Sequence, residues 1–222
     1  MEAHRPRLDA LFLAAIFAGA SYYAAVLLDL HSPSAIVWKG AGVGLLALWA
    51  ARHANSLDGW LIAGVMALGA TGDVLIDAVN LRTGGMAFMA AHIVAVVLYL
   101  RNRRAAPSGS QALLGLVLLV GVPAIAYAVS PPGTQAVGHA IYGLTIGAMA
   151  GAAWTSRFSR YRVGIGAVLF ALSDLLIFGR LGPLAASPLP HLLVWPLYFA
   201  GQALIAWGVV TRLGESKASA AQ

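Results

Sequence analysis

The sequence predicts an all-α, polytopic integral membrane protein: one membrane domain, residues 1–222, folded as a bundle of eight transmembrane helices. Three observations predict it. Hydrophobic residues make up 60% of the chain and charged residues only 10%, whereas a soluble domain carries about 25% charged residues. The mean hydropathy is +0.80, so polar groups are too few to cover a water-facing surface, while lipid asks for apolar side chains. The apolar residues also gather into eight runs close to the ~20 residues that cross a bilayer as a helix.

Taken in order, the spans are 8–28, 33–51, 57–76, 84–100, 111–129, 134–154, 161–178 and 191–210. The first is longer than the apolar core of a signal peptide and lies among similar segments, so it is expected to stay in the membrane. The second follows the polar break 29–32 and carries Gly40 and Gly44 four residues apart. The third follows the break 52–56 and ends on an acidic stretch. The fourth lies between the breaks 77–83 and 101–110. Pro123 falls inside the fifth span and Pro196 inside the eighth; both are expected to bend their helices, with neighbours satisfying the freed carbonyls. The sixth has Gly143, Gly147 and Gly151 in a four-residue ladder that lets a neighbouring backbone approach. The seventh and eighth are separated by the Pro-containing break 179–190. None of the runs shows the alternation of a membrane β-barrel strand.

Charge sets the expected orientation. With the N-terminus inside, the inner segments hold Arg5, Arg7, Arg52, Arg101, Arg103, Arg104, Arg157, Arg160, Arg162, Arg212 and Lys217, and the outer breaks only Arg82 and Arg180. By the positive-inside rule both termini are cytoplasmic, and a bacterial inner membrane is the expected setting. The net charge of +6 is then a property of inner loops, and no nucleic-acid partner is expected. Cysteine is absent, which excludes disulfides, thiolate metal sites and a Cys nucleophile. Neither a metal nor a cofactor is expected.

The informative residues are polar ones that lipid should exclude. Asp73 and Asp174 lie near the C-terminal ends of the third and seventh spans, and an intramembrane carboxylate costs several kcal/mol unless it faces the bundle interior. The segments 67–73 and 168–174 are similar and run in the same direction, which suggests a duplicated four-helix unit. Lys39, His92, Tyr142, Tyr198 and Gln202 fall at comparable depth, within about 5–18 Å of the outer surface. Six of the eight spans thus place polar groups in one outer-half layer. A polar cavity open to the outer side is expected.

Each of these residues also has a structural reading. Lys39 can snorkel to the interface, and His92 and His139 can be interhelical hydrogen-bond partners. Tyr142, Tyr198 and above all Trp195 suit an interfacial aromatic belt. Gln202 shares a helix face with Tyr198, Asp77 is expected at the membrane edge, and Asp73 and Asp174 can form a structural group with Lys39.

The Gly72-Asp73 and Ser173-Asp174 boxes, the 88–92 segment and the run Tyr198-Phe199-Ala200-Gly201-Gln202-Ala203-Leu204-Ile205 resemble the YhhN-like lysoplasmalogenase family. Its members are eight-helix membrane proteins of about this size, and the likeness covers nearly the whole chain. The resemblance implies cleavage of the vinyl ether of a lysoplasmalogen, giving a fatty aldehyde and glycerophosphoethanolamine or glycerophosphocholine. The family's two aspartates map onto Asp73 and Asp174. The implied partners are the lysophospholipid substrate and membrane lipid.

The residues suit that chemistry. A vinyl ether is cleaved by protonating its β carbon, which leaves an oxocarbenium ion for water to attack. The site needs a carboxylic acid and a nearby anion, and two carboxyls in low dielectric can divide those roles. Lys39, His92, Tyr142, Tyr198 and Gln202 are candidates to bind phosphate and glycerol oxygens or to position water, with the hydrocarbon chain between helices. Two other classes share the features. A proton-coupled carrier uses intramembrane carboxylates as a relay and often has internal repeats. An intramembrane aspartyl protease also has a Gly-Asp box, but this chain has no Tyr-Asp box and no Pro-Ala-Leu triplet near the C-terminus. A retinal protein needs a Schiff-base lysine, which the last span lacks.

Overall fold

A computed structural model describes residues 9–220, with side chains to residue 216. The helices are α1 (Ala10–Leu27), α2 (Pro33–His53), α3 (Leu57–Ala78), α4 (Leu81–Arg101), α5 (Gly109–Ala128), α6 (Thr134–Thr155), α7 (Ile165–Arg180) and α8 (Leu189–Ala220). All eight spans, α7 together with the turn that precedes it, are long and apolar enough to cross a membrane, and the chain is an integral membrane protein. The expected start of the first span at Leu8, and the basic residues Arg5 and Arg7, lie outside the described residues, as does the side chain of Lys217.

The breaks hold the residues that start the helices. Exposed N–H groups at a helix start have no intrahelical acceptor, and a short polar side chain supplies one. Asp9 accepts from the Phe12 amide at 3.0 Å, Ser32 from Ala35 at 3.2 Å and Ser56 from Gly59 at 3.2 Å. Asn80 does the same for Thr83 at 2.9 Å. Ser108 and Gln111 form a reciprocal capping box. The turn into α6 needs Gly133, whose φ of 96° lies in the left-handed region.

Sequence neighbours pack side by side along α1–α2–α3–α4, and again as the pairs α5–α6 and α7–α8. The bundle closes where α6 meets α4 and where α8 meets α1, α2 and α3. The glycine ladder of α6 faces α5: a Cβ on Gly147 would lie 2.6 Å from the Leu118 carbonyl oxygen, and one on Gly151 would lie 2.7 Å from that of Gly115. Gly166 of α7 and Gly201 of α8 meet in the same way, each Cβ 2.7 Å from the other's carbonyl oxygen. That contact sets the spacing of the two helices that carry Asp174 and Tyr198.

Three features go beyond the sequence expectation. The seventh span opens with a π-helical turn, Arg160–Gly164, packed closely on Gly208 of α8. Helix α8 continues ten residues past the expected end at 210. The basic residues at one end are also used in structure: Asp58 accepts from Arg101 Nε and Asn102 Nδ2, both at 2.8 Å, and Asn102 Oδ1 accepts from Arg157 at 3.0 Å. These bonds tie the start of α3, the end of α4 and the loop after α6 into one clamp.

Candidate functional site

The two aspartates are buried, Asp73 to 2% exposure and Asp174 to 6%. Each is met by a tyrosine from another helix. Tyr198 of α8 donates its hydroxyl hydrogen to Asp73 Oδ2 at 2.7 Å. Tyr142 of α6 donates to Asp174 Oδ2 at 3.0 Å. Gln202 lies one turn beyond Tyr198 on α8 and places Nε2 3.5 Å from the Tyr198 hydroxyl. Behind Asp174, Ser173 commits its hydroxyl hydrogen to the Phe170 carbonyl at 2.7 Å.

Aromatic rings fill the space between the two pairs. The Phe170 ring lies 5.5 Å from Tyr198 and 5.1 Å from His92, and His92 lies 5.5 Å from Tyr142 (ring centroids). Phe88 stands perpendicular to Tyr198 at 5.7 Å. Its ring sits where a Cβ on Gly72 would be, 2.6 Å away. The glycine before Asp73 is therefore a packing requirement, because any side chain there would displace Phe88.

His92 is buried on α4 and places Nδ1 3.1 Å from the Thr145 hydroxyl of α6. Its Nε2 has no hydrogen-bond partner among the described residues. His139 bonds Ser130 at 2.7 Å and stacks on Phe178, so it is an interhelical partner at the edge of the layer.

The layer differs from the sequence expectation in three respects. It is closed: Asp73, His92, Asp174, Tyr198 and Gln202 are all buried, because Phe88, Phe170 and Phe178 pack over and between them. Lys39 bonds Asp77 Oδ2 at 2.9 Å, with both side chains partly exposed. Asp77, one turn beyond Asp73 on α3, is thus held by a cation, and neither Asp73 nor Asp174 is directly paired to Lys39. Trp195 is no belt residue. It is 5% exposed and donates its indole hydrogen to the Gly19 carbonyl at 2.8 Å, which locks α8 to α1.

An apolar groove of about 640 Å³ runs between α1 and α8, with Ile16, Ala20, Trp195 and Phe199 among its walls, and it shares no lining residue with the polar layer. Among the described residues no cluster of three or more His, Asp or Glu is placed to hold a metal ion.

Sequence reasoning missed Thr145 and Phe170 as members of the site. Hydroxyl residues on apolar helices usually bond their own backbone, and a phenylalanine in a membrane span carries no sequence signal.

In comparison with known families, the sequence model of the YhhN family matches residues 34–209. Comparison with curated proteins and with solved structures gives no match.

Proposed function

The chain belongs to the YhhN family, and from that premise we propose that it is a membrane hydrolase that cleaves the vinyl ether of lysoplasmalogens. The products are a fatty aldehyde and glycerophosphoethanolamine or glycerophosphocholine. Asp73 and Asp174 are the catalytic pair. One observation carries the reading: two buried carboxyls, each held by a neutral tyrosine hydroxyl from another helix.

A vinyl ether is a weak base at carbon, so its cleavage needs an acid held close and dry. The oxocarbenium ion that follows needs an anion already in place. A carboxyl bonded by a phenol suits both roles, since the phenol brings a hydrogen-bond donor and no charge. A lysine or arginine partner would fix the carboxyl as an ion and remove the acid. The aromatic rings around the pairs exclude bulk water, and a ring face turned toward the developing cation stabilises it.

The other candidate residues take supporting roles. Lys39, paired with Asp77 one turn beyond Asp73 and partly exposed, meets the substrate phosphate. Tyr142, Tyr198 and Gln202 hold the carboxyls and the glycerol oxygens, and His92 faces the reacting atoms. The hydrocarbon chain lies between helices, level with the lipid tails, where it exchanges with membrane lipid without leaving an apolar setting. The setting is a bacterial inner membrane, with both termini cytoplasmic and the layer in the outer half.

The test is direct. Purified protein in detergent or nanodiscs is given lysoplasmenyl-ethanolamine or lysoplasmenyl-choline, and free aldehyde is measured against time. Aldehyde release that depends on enzyme concentration is expected. No release from either headgroup contradicts the reading.

A further inference from the structure

One polar atom in the layer has no task in the chemistry described so far. His92 is 3% exposed, and its Nδ1 meets the Thr145 hydroxyl at 3.1 Å. That hydroxyl has a single hydrogen, which it donates to the Tyr142 carbonyl at 2.7 Å. Thr145 therefore presents a lone pair to the imidazole, so Nδ1 carries the ring hydrogen and donates it. A neutral ring protonated at Nδ1 has a bare lone pair at Nε2. Nε2 is buried without a hydrogen-bond partner among the described residues, which is rare for a buried acceptor. The ring sits between the two carboxyl pairs: it touches Tyr142, the donor to Asp174, and Phe170, which packs on Tyr198, the donor to Asp73.

We propose that His92 is a catalytic residue whose Nε2 takes a proton from the water that attacks the oxocarbenium carbon, while Thr145 is the positioning residue that fixes its tautomer. This rests on the vinyl ether reading above. First, the acidic carboxyl gives its proton to the vinyl β carbon; the π electrons form the new C–H bond and the ether oxygen shares the positive charge. Water then forms a C–O bond to the oxygen-bearing carbon and passes a proton to Nε2. The hemiacetal next breaks its bond to the glycerol oxygen, which takes the proton back from Nε2. The remaining hydroxyl proton returns to the carboxylate as the aldehyde forms. One water is consumed, and the acid and the imidazole both return to their starting states.

His92→Asn is the informative variant. Its amide nitrogen keeps a donor toward Thr145, but nothing remains at the Nε2 position. The full-length purified protein is assayed with lysoplasmenyl-ethanolamine in D2O, and both aldehyde and recovered substrate are analysed by mass spectrometry. The expected kcat falls about 100-fold or more with KM within about twofold of wild type. Recovered substrate gains deuterium at the vinyl β carbon, because an oxocarbenium ion without activated water lives long enough to turn about its new C–C single bond and lose the original hydrogen, in place of the delivered deuteron, to the carboxylate. Thr145→Val, which keeps the side-chain volume, shows a smaller fall in kcat and the same deuterium gain. It carries the test alone if His92→Asn does not elute as a folded species. A folded His92→Asn protein that keeps a third of wild-type kcat overturns the assignment. So does a loss without deuterium gain, or a rise in KM in place of a fall in kcat. Absence of aldehyde from wild type is a different result: it overturns the vinyl ether reading and this assignment with it.

Discussion

Tyr198 and Asp73 are 125 positions apart in sequence, yet the Tyr198 hydroxyl lies 2.7 Å from the Asp73 carboxyl. The bond joins α8 to α3, and the Tyr142–Asp174 bond of 3.0 Å joins α6 to α7 in the same manner. The two phenols satisfy buried carboxyls without adding charge. A buried ion pair would resist any change of protonation, because removing one charge strands the other. A phenol donates to a carboxylate and to a carboxylic acid alike, so the pair can pass through both states in a catalytic cycle.

Tyr198→Phe removes that donor and leaves Asp73 Oδ2 buried without a partner. A lost hydrogen bond of this kind costs about 1–3 kcal/mol, so the variant is expected to unfold at lower temperature or denaturant concentration than wild type. Turnover is expected to fall more than KM rises, since Asp73 loses its orientation. Thermal unfolding and aldehyde release on the same preparation check both effects. Unchanged stability and turnover contradict the role of the bond.

Lys39→Met is expected to raise KM for a phosphate-bearing substrate more than it lowers kcat. The ammonium is partly exposed and bonds Asp77 at 2.9 Å, which would orient it toward the phosphate of the proposed substrate. Asp77→Asn keeps a hydrogen-bond acceptor and frees the cation, so its KM is expected to stay near or below the wild-type value. Steady-state kinetics on the two variants separate these outcomes. An unchanged KM in Lys39→Met returns this residue to a structural ion pair.

Gly201→Ala tests the contact between α7 and α8. The added Cβ would stand 2.7 Å from the Gly166 carbonyl oxygen and 3.1 Å from the Phe170 amide nitrogen, and backbone cannot yield as a side-chain tip can. Overpacking of this kind costs about 1–3 kcal/mol. Loss of turnover is expected to exceed the loss of folded protein, because α7 and α8 hold Asp174 and Tyr198. Folded yield by gel filtration, set beside specific activity, measures both.

Eight helices were legible in the sequence because lipid imposes a simple rule, apolar side chains in runs of about twenty. The expected starts at 33 and 57 agree with the helices that Ser32 and Ser56 cap, whereas α4 begins at Leu81, three residues before the expected 84, because Asn80 supplies the first acceptor there. The end of α8 was not legible, since residues past 210 are polar enough to lie outside the membrane and still remain helical. Asp73 and Asp174 stood out because their solvation cost makes each of them conspicuous in an apolar span. Their partners were visible only as a layer of similar depth. Which tyrosine meets which aspartate depends on helix rotation and neighbour order, and neither periodicity nor depth encodes those. Trp195 shows the same limit. A tryptophan near a span end suits an interfacial belt, but its rotation on α8 turns it inward onto Gly19.

Reporter fusions placed after Arg104 and after Arg160 are expected to report cytoplasm, and a fusion near Gly133 the opposite side. The basic clamp formed by Arg101, Asn102 and Arg157 would then lie at the cytoplasmic end. A cytoplasmic signal from the Gly133 fusion would invert the bundle and place the carboxyl layer in the inner half.

The central claim is that Asp73 and Asp174 act together in catalysis, and turnover of Asp73→Asn and Asp174→Asn tests it most directly. An amide keeps the shape and most of the hydrogen bonding, but it neither delivers a proton in this way nor becomes an anion. General acid catalysis contributes about 10²–10⁴-fold, and loss of charge stabilisation adds to that. Each single variant is expected to insert, to elute as a folded monodisperse species and to release no measurable aldehyde. Because the two residues act as a unit, the double variant is expected to be little worse than either single one. A folded Asp174→Asn protein that keeps a third of wild-type turnover would remove Asp174 from the mechanism and contradict the paired-aspartate account.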